Sequence, residues 1–262
     1  ALKTNVSGQQ NVAIGVCALN ANTGYNNVAI GYQALDANIG GDSNVAVGLH
    51  SLLLNTTGNY NVAVGRKALC SNTTGLTNVA IGLTALNDNT EGTNNIAIGC
   101  AALLDHSTGN NNVAIGVATL FDNTTASDNT ALGSYSMVKN TTGTANLAAG
   151  TNAMACNTTG AYNVAVGANA GLLHTTGGNN IFVGDSAGRQ NTTGCKNTGL
   201  GSGALYGAGG SGTVMQDNAA VGYRSLYTNT TGNSNAAFGN NTLYANTTGC
   251  INTAIGKDAL GL

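Results

Sequence analysis

Apolar residues in this chain fall in short runs of period two, each ended by a glycine, and the runs recur at a nearly constant interval. A representative run is Asn112-Val113-Ala114-Ile115-Gly116. Fifteen versions of it start at Asn11, Asn27, Asn44, Asn61, Asn78, Asn95, Asn112, Asn129, Asn146, Asn163, Asn180, Asn197, Asn218, Asn235 and Asn252. Successive starts are 17 residues apart, except for 16 at the first step and 21 between Asn197 and Asn218. The whole unit reads Asn-Val-Ala-Ile-Gly-x-x-Ala-Leu-x-x-Asn-Thr-Thr-Gly-x-x. Alternation this short, closed by glycine, predicts strands rather than helices. A unit with two glycine corners predicts one rung of an all-β parallel β-solenoid (a β-roll or β-helix), each strand pairing in parallel with its counterpart one rung away. One rung orders far more backbone than its few apolar side chains can offset, so stability must come from stacking.

Position by position, the first glycine is present in all fifteen copies, and the second stands three residues before the Asn in thirteen, with Ala126 and Met215 as exceptions. Both columns predict corners that need positive φ or close backbone approach. The Asn column predicts amides at the rung spacing, each bonding to the next and capping a turn. Alternation puts Val113 and Ile115 on one face and Ala114 on the other, and the larger residues, with Leu120, are expected in the core. The small Ala column, with Ala102 and Ala153 on a second strand, is then expected outside. Beside it lie the apolar residues Leu104, Phe121, Val138 and Leu172, a candidate interface between chains. Gly171 and Gly188 replace the core Leu and predict a thinned, weak or bent stretch. Tyr206, Tyr227 and Tyr244 share one repeat position and predict a stacked ladder, for packing between chains or, as the lesser reading, for stacking on sugar.

Regular repetition predicts one domain over residues 1–262, with the extra residues near 207–212 bulging as a loop. The chain enters and leaves in mid-repeat, which reads as a processed N-terminus or a segment of something longer. Neither end carries a capping segment, so head-to-tail stacking is expected to hide the exposed edges.

Composition narrows the function. Charged residues make up 7% of the chain and the formal net charge is −2, which argues against nucleic-acid partners. No apolar run is long enough for a membrane span. The cysteines, Cys17, Cys70, Cys100, Cys156, Cys195 and Cys250, never fall in adjacent units, too far apart for a disulfide within the chain. They are expected as small packed thiols, with bridges between chains as the alternative.

Candidate chemistry is sparse. His50, His106 and His174 lie far apart in rung number and build no triad, carboxylates read as scattered rather than as a calcium array, and Gly199 to Ala204 lacks the helix of a phosphate loop. No enzyme, cofactor or metal is expected. Asn-x-Ser/Thr occurs at Asn5, Asn55, Asn72, Asn123, Asn140, Asn157, Asn191, Asn229, Asn240 and Asn246, candidate N-glycosylation sites. Turn chemistry is the favoured reading of the same residues. The Thr columns also admit an ice-binding array.

The Asn-Val-Ala-Ile-Gly core with its downstream Ala resembles the head repeats of YadA-like trimeric autotransporter adhesins. The full unit, Asn61-Val62-Ala63-Val64-Gly65 through Asn72-Thr73-Thr74-Gly75, is similar to repeats of tail-fibre-like surface proteins of phages and bacteria. The resemblance implies a left-handed β-roll in an elongated, often trimeric fibre on a cell or virion surface. The expected function is therefore a structural extracellular fibre, filament or adhesin-like shaft. It would self-associate as a homo-oligomer, laterally or head to tail. An ice-binding or glycan- or receptor-binding module is the alternative.

Overall fold

The computed structural model describes residues 1–5, 7–207 and 214–261. The loop expected near 207–212 therefore falls, apart from Gly207, outside the described residues. The chain is all-β and falls into two compact units, Ala1–Asp128 and Asn129–Leu262. The first unit carries β1 (Val12–Ile14), β2 (Val28–Ile30), β3 (Val45–Val47), β4 (Val62–Val64), β5 (Val79–Ile81), β6 (Ile96–Ile98) and β7 (Val113–Ile115). The second carries β8 (Thr130–Leu132), β9 (Leu147–Ala149), β10 (Val164–Val166), β11 (Ile181–Val183), β12 (Thr198–Leu200), β13 (Ala219–Val221), β14 (Ala236–Phe238) and β15 (Thr253–Ile255). Within each unit every strand pairs in parallel, in unshifted register, with its sequence neighbours: Ala63 opposes Ala46 and Ala80, and Ala165 opposes Ala148 and Phe182. The parallel β-solenoid expected from the repeat is the fold observed.

Which face is inside differs from the expectation. Ala63, Ala80, Ala97 and Ala114 are fully buried, whereas Ile115 keeps 40% of its surface exposed and Ile14 keeps 58%. The strand's Val and Ile point outward, and the small Ala points in. The small residue that precedes the inward Leu or Met, such as Ala102 and Ala153, is buried as well, not outside. A rung this narrow explains the inversion. Leu86 and Leu103 enter from the opposite wall, and two columns of Asn occupy the rest of the interior, leaving room for only a methyl on the strand.

The expected second strand is a tight turn instead. Lys67 and Leu69 both have positive φ, at 56° and 51°, and so do their counterparts in the neighbouring rungs. This left-handed backbone swings Leu69 inward, and the turns still bond from rung to rung, as in Leu52 N–H to Ala68 O at 3.1 Å and Leu69 N–H to Ala85 O at 2.9 Å. The two glycine columns do different work. At Gly65 φ is 136° and a Cβ would lie 2.2 Å from the Gly82 carbonyl oxygen. Gly58 has ordinary φ, but its Cβ would meet Asn55 Oδ1 at 2.4 Å and the Gly75 oxygen at 2.5 Å.

The stretch expected to be thinned is filled. Phe182 takes the inward strand position normally held by Ala and is fully buried. A Cβ on Gly188 would lie 2.3 Å from its ring, and one on Gly171 would lie 3.2 Å away. Gly199, next to Phe182 in the ladder, also lacks a side chain there. One aromatic ring thus occupies the space that two Leu side chains vacate.

Candidate functional site

Three surfaces could carry function: the buried Asn columns with their turn edge, the outward strand face, and the aromatic flank of the second unit. Along the first Asn column, Asn44, Asn61 and Asn78 each donate Nδ2–H to a corner glycine oxygen, at 2.8, 2.9 and 2.8 Å. Each Oδ1 accepts the next rung's backbone N–H, as in Asn61 N–H to Asn44 Oδ1 at 3.0 Å. This is the expected amide ladder. The Asn-Thr-Thr column builds a second one, with Nδ2 of Asn38, Asn55, Asn72 and Asn89 donating to the preceding Oδ1 at 2.7 to 2.8 Å.

That placement decides most candidate glycosylation sites. Asn55, Asn72, Asn123, Asn140, Asn157, Asn191 and Asn229 are fully buried, and the fold has no room for a sugar on any of them. Asn5 and Asn246 are half-buried and donate to Gly8 and Gly249 in the same manner. Only Asn240 among the ten is exposed. The turn chemistry of Asn and Thr accounts for the motif: the first Thr hydroxyl donates to the next rung, as Thr73 Oγ1 does to the Thr90 oxygen at 2.9 Å. The second Thr, as in Thr57 and Thr74, is exposed, whereas the first, as in Thr56 and Thr73, is half-buried.

His106 and His174 replace Asn in the second ladder and are fully buried. His106 Nε2 lies 2.8 Å from the Gly109 oxygen, and Nδ1 lies 3.0 Å from Asn123 Nδ2 and 3.2 Å from the Asn123 backbone oxygen, so both ring nitrogens are engaged. Desolvation lowers the pKa of both histidines, against the opposing effect of their backbone hydrogen bonds. The ring has no N–H left for the rung before it. Accordingly Asn89 Oδ1 and Asn157 Oδ1, the acceptors preceding the two histidines, are buried without a hydrogen-bond partner.

The carboxylates are less scattered than the sequence suggested. Asp88, Asp105 and Asp122 occupy one repeat position in successive rungs, and desolvation followed by the neighbouring charges of Asp122 and Asp88 raises Asp105. No group of three metal-ligating side chains is present among the described residues. All six cysteines are free. No helix of the described residues is long and apolar enough to cross a membrane.

The outward strand face differs between the units. In the first, all fourteen outward strand residues from Val12 to Ile115 are Val or Ile, half-buried or exposed. Just past the corner glycine, Val16, Tyr32, Leu49, Leu83 and Val117 are exposed too. In the second unit the same positions include Thr130, Ala149, Thr198, Ala219, Ala236 and Thr253, and those past the corner include Asp185, Ser202, Asn240 and Lys257. The expected interface column, Leu104, Phe121, Val138, Leu172, Tyr206, Tyr227 and Tyr244, is half-buried at the turn. The broader apolar surface is the Val/Ile ribbon, which sequence reading had placed inside.

The three tyrosines do stack, Tyr206 on Tyr227 at 4.7 Å and Tyr227 on Tyr244 at 5.3 Å, nearly parallel. Arg189 donates to the Tyr206 hydroxyl at 2.7 Å, and the Arg224 guanidinium lies 5.0 Å from the Tyr223 ring and 5.3 Å from Tyr227. Burial pushes the Tyr227 hydroxyl up, reinforced by Tyr206 and opposed by Arg224. The periodicity announced the ladder; the arginines around it carried no repeat signal.

No protein-family model and no curated protein matches the chain.

Proposed function

We propose that this solenoid is a structural, non-catalytic element of an extracellular fibre or shaft, and that copies associate laterally through the Val/Ile ribbon of the first unit. The ribbon is the observation that carries this reading. Exposed β-branched residues in unbroken columns are unusual on a chain that stays single in water. With the five flanking apolar residues the ribbon presents nineteen side chains, close to the roughly 20–30 residues a side of a stable interface. Its outward strand positions carry no charge, and Arg66 is the one charged residue directly after the corner glycines of β1 to β7, so two copies can face each other with little like-charge repulsion. A second copy also has the same rung spacing, about 4.8 Å, so its side chains can interdigitate along the whole ribbon.

Sedimentation velocity of the full chain tests this. The native protein is expected to sediment as an oligomer, and the triple variant Val79→Lys, Ile81→Lys, Ile98→Lys as a monomer with unchanged circular dichroism. The matching changes Thr198→Lys and Ala219→Lys in the second unit are expected to leave the oligomer intact. A native chain that is monomeric at tens of micromolar would overturn the proposal.

A further inference from the structure

The second unit carries a surface feature that neither the amide ladders nor the ribbon uses. Asp185, Ser186, Ser202, Gly203, Tyr206, Tyr223, Arg224 and Tyr227, from three successive rungs, line an open pit of about 150 Å³. Gly203 makes the space. It holds the positive-φ turn position occupied by Ser186 and Arg224 in the rungs on either side, and a Cβ there would come within 3.2 Å of the Tyr227 ring and 3.3 Å of the Arg224 side chain.

The walls combine three chemistries. The exposed Arg224 guanidinium lies within cation–π distance of both the Tyr223 and Tyr227 rings. Asp185 supplies an acceptor, and the one ion pair among the described residues is Lys257 with Asp258, so Asp185 and Arg224 do not neutralise each other. Ser186, Ser202 and the Tyr206 hydroxyl add groups that both donate and accept.

We infer that this pit binds a single ring of a neutral saccharide. A pyranose offers hydroxyls that pair with a carboxylate, a guanidinium and serines in turn, and C–H groups that pack against Tyr223, the exposed pit tyrosine outside the stacked ladder. The volume is below the roughly 300–1,000 Å³ of pockets for drug-sized ligands, which fits one ring or a chain end. Asp185 and Arg224 give the pit one charge of each sign, which favours a ligand without net charge. The site is independent of the association surface, since it lies in the other unit.

Saturation-transfer-difference NMR of the full chain with the methyl glycosides of glucose, galactose, mannose and N-acetylglucosamine tests the assignment. At least one is expected to receive saturation, strongest on the protons of one ring face. Asp185→Asn and Arg224→Gln, both exposed and each with thermal unfolding unchanged, are expected to weaken binding by about tenfold or more. Glu91→Gln, exposed in the first unit, is expected to leave it unaltered. Absence of transfer to all four glycosides, or transfer indifferent to both pit variants, would overturn the assignment. So would tighter binding of methyl glucuronide than of methyl glucoside, which would mark the pit as an anion site.

Discussion

The rungs that keep the repeat and the rungs that depart from it fill the same narrow interior by opposite means. In β4 and β5 the strand contributes only Ala63 and Ala80, and Leu69 and Leu86 reach across from the turn. Around β11 the strand contributes Phe182 and the turns contribute nothing, at Gly171 and Gly188. The comparison teaches that the interior conserves volume rather than residue identity. A small strand residue requires a large turn residue, and the reverse.

The strongest way to break that equivalence is Phe182→Ala. With glycine at both facing positions no neighbour can move in, and the loss is expected near 3–5 kcal/mol in a urea melt. Adding Gly188→Leu to Phe182→Ala should restore a consensus rung and recover much of the loss, because the Leu columns already sit at φ near the 60° of Gly188. In the native background Gly188→Leu alone should destabilise by overpacking, its Cβ meeting the Phe182 ring. Additive rather than compensating effects would show that the two positions do not share one space.

A smaller test turns on the corner glycine, which consensus and departing rungs have in common. Gly65→Ala forces a Cβ against the Gly82 oxygen at a φ that L-residues rarely adopt, and should cost on the order of 1–3 kcal/mol by thermal or urea unfolding. A change within error would mean the corner can relax.

Smaller again, and opposite in sign, is the repair of a departing rung. His106→Asn returns a donor to the orphaned Asn89 Oδ1 and should stabilise by about 1 kcal/mol. It should also change the pH response. The folded-state pKa of His106 lies below its unfolded value near 6.5, so the neutral ring's contribution is fully present above about pH 6.5 and is lost as pH falls toward the folded value. The variant's stability should therefore fall less between pH 7 and 5 than the native chain's. An unaltered pH dependence would rule out the buried neutral ring.

The least effect belongs to the stacked carboxylates. Asp105 is raised, so its ionised form disfavours the fold, and that penalty grows as pH rises through the folded pKa and disappears below the unfolded one. Asp105→Asn should stabilise at pH 7 by a few tenths of a kcal/mol, since the site is largely exposed, and not at all at pH 3. Equal gains at both values would assign the effect to something other than charge.

Much of this architecture was legible in the repeat, and the reason it was incompletely so is physical. Period and glycine punctuation specify parallel rungs, and the Asn column specifies a ladder, because both are backbone requirements repeated in every unit. Alternation only says that Val113 and Ile115 oppose Ala114; it does not say which side is inside. Hydrophobicity favoured the larger pair, whereas the interior is set by Leu120 and two Asn columns that leave space for a methyl. Phe182, standing where the other strands carry a small residue, together with Gly171 and Gly188 carried the missing signal, because a bulky strand residue matched by two absent turn residues makes sense only if the Ala side faces in. The pit around Gly203 could not be read, since Arg224 and Asp185 come from different rungs without any shared pattern.

The central claim is that the outward Val/Ile ribbon of the first unit is a contact between copies. Electron cryo-microscopy of the assembled particle tests it most directly. The account predicts a second copy's sheet facing Val62, Val79, Ile96 and Val113 at about 10 Å, with interdigitated side-chain density. Particles in which that ribbon faces open solvent, with contacts made elsewhere, would contradict it.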